Sequence, residues 1–258
     1  ALDALASGAV EVVEKNMAED RINDLMLEIV RKVRAAAGAR VQKVPFGGQV
    51  SGQPDSVQTL ESVSGTTEQI LAIGSSTGGT EALNRIIPSL PEDIPGTVIV
   101  QHMPPGFTTQ MANRLDKSSV VTVQEAAGGE YLEPGLVLVA PGDHHLLVFR
   151  RGSRYLVELR DGPRVSRHKP SVDVMFKTVA EAAGANAVGV ILTGMGRDGA
   201  SGMLEMKQAG AHNIAQDEES CVVYGMPREA VALEAHSEIV PLDGIPRKIC
   251  QAFSRVTA

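Results

Sequence analysis

The chain predicts an α/β fold: a doubly wound, mostly parallel sheet flanked by helices, with an added antiparallel hairpin. Three observations carry that expectation. Apolar runs such as ILAIG (70–74) and AVGVILTG (187–194) are continuous rather than alternating, as in strands buried on both faces. Stretches of helical periodicity separate them. Gly, Ser, His and Asp gather just past the ends of these runs, where open parallel sheets place their chemistry.

Taken in order, residues 1–16 read as a helix end, a turn at Gly8 and a short strand, AVEVVEKN. Residues 17–37 predict an amphipathic helix: Ile22, Met26, Ile29 and Val33 recur at three- and four-residue steps, and Glu19 and Asp20 open the first turn. Residues 38–69 are rich in Gly, Ser and Gln without periodicity and read as a flexible linker. The remaining domain, 70–258, alternates. Strand 70–74 leads to helix 78–89, strand 96–102 to a helix near 106–116, and two more strands follow at 121–126 and 136–141. Segment 145–162 reads as a hairpin turning at Arg151-Gly152-Ser153. Helix 171–184, strand 187–194, helix 200–209, strand 212–217 and a helix from near Pro227 complete the pattern.

Composition bounds the function. The 258 residues are 43% hydrophobic and 21% charged, as in an ordinary globular protein, and no apolar run reaches the ~18–20 residues of a membrane span. The first residues have neither a basic start nor a cleavage-site pattern, so no secretory signal is expected. A net charge of −7 argues against nucleic acid as the main partner. Cys221 and Cys250 form neither a disulfide framework nor a metal spacing, which suits a reducing cytoplasm and buried thiols. No cofactor and no metal are expected.

Three strand ends deliver reactive groups. After ILAIG stand Ser75, Ser76 and Thr77; TVIVQ is followed by His102; GVILTG is followed by Met195, Gly196, Arg197 and Asp198. A hydroxyl, an imidazole and a carboxylate at one sheet edge form the grouping that acyl transfer needs. Each has a plainer explanation. A Ser in a glycine turn caps a helix, a His at a strand end is usually structural, and Asp198 before Gly199 suits a turn. Together they are harder to dismiss. The glycine loop itself lacks the Lys of a P-loop, having Thr80 and Glu81 after Gly79, and Ser76 occupies the third position of the dinucleotide fingerprint. GSSTG fits the G-x-S-x-G nucleophile elbow, but His102 precedes Asp198, opposite to the order in α/β-hydrolases.

The segments AIGSSTGGTEAL, VIVQHMPPGFT, VAPGDHHL, GPRVSRHKPSVDVMF, GVILTGMGRDGASGM and IAQDEESCVVYGMPREA resemble the catalytic domain of the CheB family of chemotaxis protein-glutamate methylesterases, over residues 70 to about 253. The resemblance implies Ser76 as nucleophile, His102 as general base, Asp198 as orienting carboxylate, and oxyanion contributions from the Met195 N–H and from Thr77. It implies a serine hydrolase that demethylates glutamate methyl esters on chemoreceptors, with glutamine deamidation as a further activity. Many relatives carry Ala where this chain has Ser75, which leaves two serines side by side. Residues 1–37 are similar to the last strand and helix of a response-regulator receiver domain, with Lys15 at the strand end but Asn16 in place of the usual proline. That likeness implies a chemotaxis histidine kinase as partner of a full-length form. The receiver's phosphorylatable aspartate is not in this sequence, so no response to a phosphodonor is expected.

Two alternatives stand beside this reading: an esterase of the same fold acting on a substrate outside chemotaxis, and a non-catalytic phosphate- or nucleotide-binding signalling module. Among the other segments, Asp143-His144-His145 reads as a solvated turn rather than a metal site. Arg164 to Lys169 is a cationic run that suits either a wet loop or docking onto acidic receptor helices. Met103 to Met111 either lines a cleft or only begins a helix.

Overall fold

The structure, a computed structural model, describes residues 4, 9–13, 22–39 and 66–256. Helix α1 spans Ile22–Ala37. A seven-stranded parallel sheet is built from β1 (Ile70–Ser75), β2 (Thr97–Gln101), β3 (Thr122–Glu125), β4 (Leu136–Val139), β7 (Ala187–Ile191), β8 (His212–Gln216) and β9 (Glu238–Val240), in the order β3-β4-β2-β1-β7-β8-β9. Between them run α2 (Gly79–Ile86), α3 (Phe107–Ser118), α4 (Val172–Ala183), α5 (Ala200–Gln208), α6 (Met226–Ala232) and α7 (Ile245–Val256).

The continuous apolar strands have a direct packing cause. Successive side chains leave a strand on opposite faces, so a sheet covered on both sides needs apolar residues at every position. In β1, Leu71 and Ile73 join one core with Leu83 and Ile86 of α2, Leu115 of α3, and Ile249 and Phe253 of α7. Ile70 and Ala72 join the other core, with Met175, Phe176 and Val179 of α4 and Met203 and Met206 of α5. Both layers are required; either alone would leave half of each strand in water.

The expected hairpin forms as β5 (His145–Arg151) and β6 (Arg154–Arg160), paired antiparallel. It is a separate two-stranded sheet rather than an extension of the main one. Its apolar face, Leu146, Val148, Tyr155 and Val157, packs into the same core as α4. The Tyr155 hydroxyl donates to the Glu68 carbonyl at 2.6 Å, fastening the chain just before β1.

The N-terminal part departs from expectation. Residues 9–13 are not in a strand, and 14–16 lie outside the described residues, as do 17–21 of the expected helix. On α1, two residues of the apolar stripe face solvent: Met26 is 56% and Val33 61% exposed. Most of the expected linker, 40–65, also lies outside the described residues.

Three neighbouring strands, β2, β1 and β7, therefore end side by side. Their closeness to α4 is set by Gly74, where a Cβ would overlap Cγ1 of Val172. Gly74→Ala is expected to lower unfolding free energy by about 1–3 kcal/mol, the usual cost of overpacking, with part regained when Val172→Ala is added. Denaturant melts of the three variants check this.

Candidate active site

In β1 and β2, Ser75 lies opposite Gln101 in register, and the His102 N–H donates to the Ser75 carbonyl at 3.1 Å. Gln101 ties the two strand ends together. Its Nε2 donates to the carbonyls of Ser76 (2.9 Å) and His102 (3.2 Å), while its Oε1 accepts from Ser75 Oγ at 2.7 Å. The adjacent serines are thereby distinguished. Ser75 is completely buried and its hydroxyl is committed to Gln101, whereas Ser76 is partly exposed beyond the strand.

From Ser76 the backbone turns sharply through Gly78, at φ 79°, into α2. Such positive φ favours glycine, and a side chain there would also strike Val222. The neighbouring loop after β7 approaches just as closely. A Cβ on Gly194 would lie 2.8 Å from Cβ of Ser76. Thr193 holds this junction: its carbonyl accepts from the Ser76 N–H at 3.1 Å, and its hydroxyl donates to the Thr77 carbonyl at 3.0 Å.

Beyond Gly194 the chain reaches Met195 and, three residues on, Asp198. Asp198 is 1% exposed. Its Oδ2 bonds His102 Nε2 at 2.7 Å and accepts from the Val172 N–H at 2.7 Å; its Oδ1 accepts from Ser171 Oγ at 2.7 Å and the Asp173 N–H at 3.2 Å. Ser171 is the N-cap of α4, so the carboxylate sits at a helix N-terminus, where free N–H groups and the helix dipole favour an anion. Burial alone would raise the Asp198 carboxyl. The bonded His102, Ser171 and the Val172 amide outweigh burial and bring it from an ordinary 3.8 to about 2.

The structure thus joins His102 to Asp198 and brings Ser76 to the end of the strand next to His102. With Nε2 on Asp198, the other imidazole nitrogen, Nδ1, is buried and has no hydrogen-bond partner among the described residues. The N–H groups of Thr77 and Met195 donate no hydrogen bond among the described residues either. An unpartnered buried nitrogen is an unusual cost unless a reacting group uses it.

Several contributing residues were invisible to sequence reasoning. Ser171 and Asp173 bond Asp198, His168 lies against His102 and His145 bonds Ser171, and none of the four follows a strand of the main sheet. His145, expected in a solvated turn, is instead 5% exposed: its Nδ1 accepts from the Ser171 N–H at 3.2 Å and its Nε2 donates to the Pro163 carbonyl at 3.0 Å. His144 is exposed as expected, and no metal-binding cluster occurs among the described residues. The cationic run is divided. Lys169 is paired with Asp161 (2.7 Å) and Asp143 (3.2 Å), while Arg164 and Arg167 stay exposed. Pro104 accepts from the Phe107 N–H at 3.3 Å and leads into α3, while Met103 packs on the core. Both thiols are buried, and burial pushes Cys250 up to about 11.

The N-terminal segment also touches the site. The Thr77 hydroxyl donates to Glu11 Oε1, and Lys32 of α1 lies 3.7 Å from the same carboxylate. Arg34 and Gly38 line a cleft of about 470 Å³ with Met195, Gly196, Tyr224 and Arg228.

Beside Asp198, the Asp173 carboxyl is raised from 3.8 to about 6, by burial first, with the Asp198 charge adding to it. A raised folded-state value means that the folded protein holds this proton more tightly than the unfolded chain. Asp173 therefore contributes stability that is present below about pH 4 and lost as pH rises through about 6. The melting temperature of Asp173→Asn relative to wild type is expected to increase between pH 4 and pH 7; a pH-independent difference would contradict the assignment.

Comparison with known proteins gives the family. The CheB methylesterase family model matches residues 71–249. The protein-glutamate methylesterase/protein-glutamine glutaminase 4 of Anaeromyxobacter dehalogenans is 52% identical over 250 residues, covering 96% of this chain and 69% of its own. A protein of the same designation, numbered 2, from Syntrophus aciditrophicus is 48% identical over 248 residues, covering 96% and 72%. The crystal structure of the Thermotoga maritima CheB methylesterase catalytic domain superposes with a TM-score of 0.69 at 42% identity, covering 71% of this chain and 97% of that one. With its parallel sheet, its paired His102 and Asp198, and a family match over most of its length, this chain belongs to the CheB methylesterase family.

Proposed function

We propose that this protein-glutamate methylesterase hydrolyses glutamyl methyl esters on chemoreceptors with Ser76 as nucleophile, His102 as general base and Asp198 as the carboxylate that orients it. The observation that carries the reading is the 2.7 Å bond from His102 Nε2 to the buried Asp198, with Nδ1 buried and without a hydrogen-bond partner among the described residues. Nδ1 takes the Ser76 proton as Oγ attacks the ester carbonyl. Asp198 compensates the positive charge that forms on the imidazole. The developing oxyanion is received by the free N–H groups at Met195 and Thr77. His102 then gives its proton to the departing methoxide, and methanol leaves an acyl-Ser76. Water, deprotonated by the same nitrogen, cleaves that ester and regenerates the serine and a glutamate carboxylate. A glutamine side chain passes through the same steps with ammonia as leaving group, which is the glutaminase activity carried in the relatives' names. No step requires a cofactor.

Residues 70–258 are the catalytic unit in this reading, preceded by a linker at 38–69 and a receiver remnant at 1–37, with a histidine kinase as partner of a full-length form. The substrate is the cytoplasmic helical part of the receptor, so the enzyme works in the cytoplasm. Among the described residues no helix is long and apolar enough to cross a membrane. An esterase for a substrate outside chemotaxis and a phosphate-binding module are both less well supported. The glycine loop lacks a phosphate-gripping lysine, and a binding module has no use for an unpartnered imidazole nitrogen.

Two experiments test the proposal. Ser76→Ala is expected to reduce methanol release from methylated receptor membranes by at least about 10³-fold, and equal activity in variant and wild type would refute it. Docking is tested separately by Arg164→Glu with Arg167→Glu. Receptor turnover is expected to fall about 10-fold, chiefly through slower encounter, with hydrolysis of a small ester unchanged; equal loss on both substrates would remove the docking role.

A further inference from the structure

One contact to the proposed general base is explained neither by the sheet nor by the triad. The ring of His168 lies parallel to that of His102, with centroids 3.7 Å apart and planes inclined by 2°. His168 comes from the loop between β6 and α4. That loop forms a minimal hairpin: the Val165 N–H donates to the His168 carbonyl at 3.0 Å and the His168 N–H returns to the Val165 carbonyl at 2.8 Å. Its two central residues, Ser166 and Arg167, have φ of 50° and 71°. Such tight turns require positive φ at both central positions and normally use glycine or asparagine. Here neither is present, so the conformation is held from outside.

The holding group is Asp173. Ser166 Oγ donates to Asp173 Oδ2 at 3.2 Å, and Asp173 Oδ1 accepts from the Gly202 N–H of α5 at 2.9 Å. The Asp173 N–H in turn donates to Asp198. A closed circuit results: His102 to Asp198, Asp198 to Asp173, Asp173 to Ser166, and back through the hairpin to the ring stacked on His102.

We propose that the Val165–His168 hairpin is a clamp on the general base, in which His168 fixes the plane of the His102 ring and Asp173, through Ser166, fixes the hairpin. The physical need is specific. The bond from Nε2 to Asp198 leaves the imidazole free to rock about the axis from Cβ to that bond, and rocking carries Nδ1 away from Ser76. A flat partner at stacking distance blocks that motion. Its face also tolerates the cation that forms during the reaction. His168 and Asp173 are positioning residues; neither touches the substrate. The clamp rests on reading His102 as the base.

The test compares Ser76→Ala, His168→Ala, His168→Phe and Ser166→Ala in methanol release from methylated receptor membranes, with thermal melts as a folding check. His168→Ala is expected to lower kcat about 10-fold with KM changed less than about 2-fold, as befits a loss of orientation. His168→Phe keeps a flat ring and is expected within about 3-fold of wild type. Ser166→Ala removes only a hydroxyl, and is expected to lower kcat about 3-fold in the wild-type background and not at all in His168→Ala, since both act through one element. Wild-type kcat in His168→Ala, a Phe variant as poor as the Ala variant, a loss confined to KM, or additive loss with Ser166→Ala would each overturn the clamp. If Ser76→Ala stays active, the triad reading falls; if Ser76→Ala is silent while His168→Ala matches wild type, only the clamp falls.

Discussion

The site depends on one electrostatic arrangement: a carboxylate that is almost wholly buried yet fully hydrogen-bonded at the start of α4. Burying an ionised aspartate is costly unless every lone pair finds a donor. Asp198 finds four, from His102, Ser171, Val172 and Asp173. Three of these come from the first residues of one helix. The capping geometry of Ser171 therefore organises the site as well as the helix. It fixes the carboxylate, the carboxylate fixes the tautomer and orientation of His102, and the other imidazole nitrogen has no hydrogen-bond partner among the described residues.

The parallel sheet supplies the other half of the geometry. Because β2, β1 and β7 are neighbours running in the same direction, the residues after them emerge together without any further device. Fine positioning then comes from amides and small side chains. Gln101 clips the backbone of Ser76 to that of His102, Thr193 clips Ser76 and Thr77 to the loop after β7, and glycines at 74, 78 and 194 let α4, Val222 and Ser76 approach closely. This explains why the two serines of the loop are not equivalent. One is the last residue of a buried strand and satisfies Gln101; the other is the first residue outside it.

Much of this was legible in the sequence because it rests on local periodicity. Continuous apolar runs identified the buried strands, and the residues just past them pointed to Ser76, His102 and Asp198, of which the structure pairs His102 with Asp198. What stayed hidden depends on contacts through space. Ser171 and Asp173 look like ordinary residues at a helix start, and only the packing of α4 against the loop after β7 turns them toward Asp198. His145 sits among polar neighbours that resemble a turn, yet β5 packs on α4 and buries it. β9 has only three residues, too few for a period. On α1 the apolar spacing is legible, but Met26 and Val33 are exposed on it.

Direct identification of the nucleophile tests the central claim. The protein would be treated with a serine-directed phosphonylating reagent, digested, and the peptide spanning residues 70–85 sequenced by mass spectrometry. The account predicts one adduct on Ser76 and none on Ser75, and loss of the adduct when His102 is replaced by Gln. An adduct on Ser75, or labelling of Ser76 indifferent to His102, would contradict it.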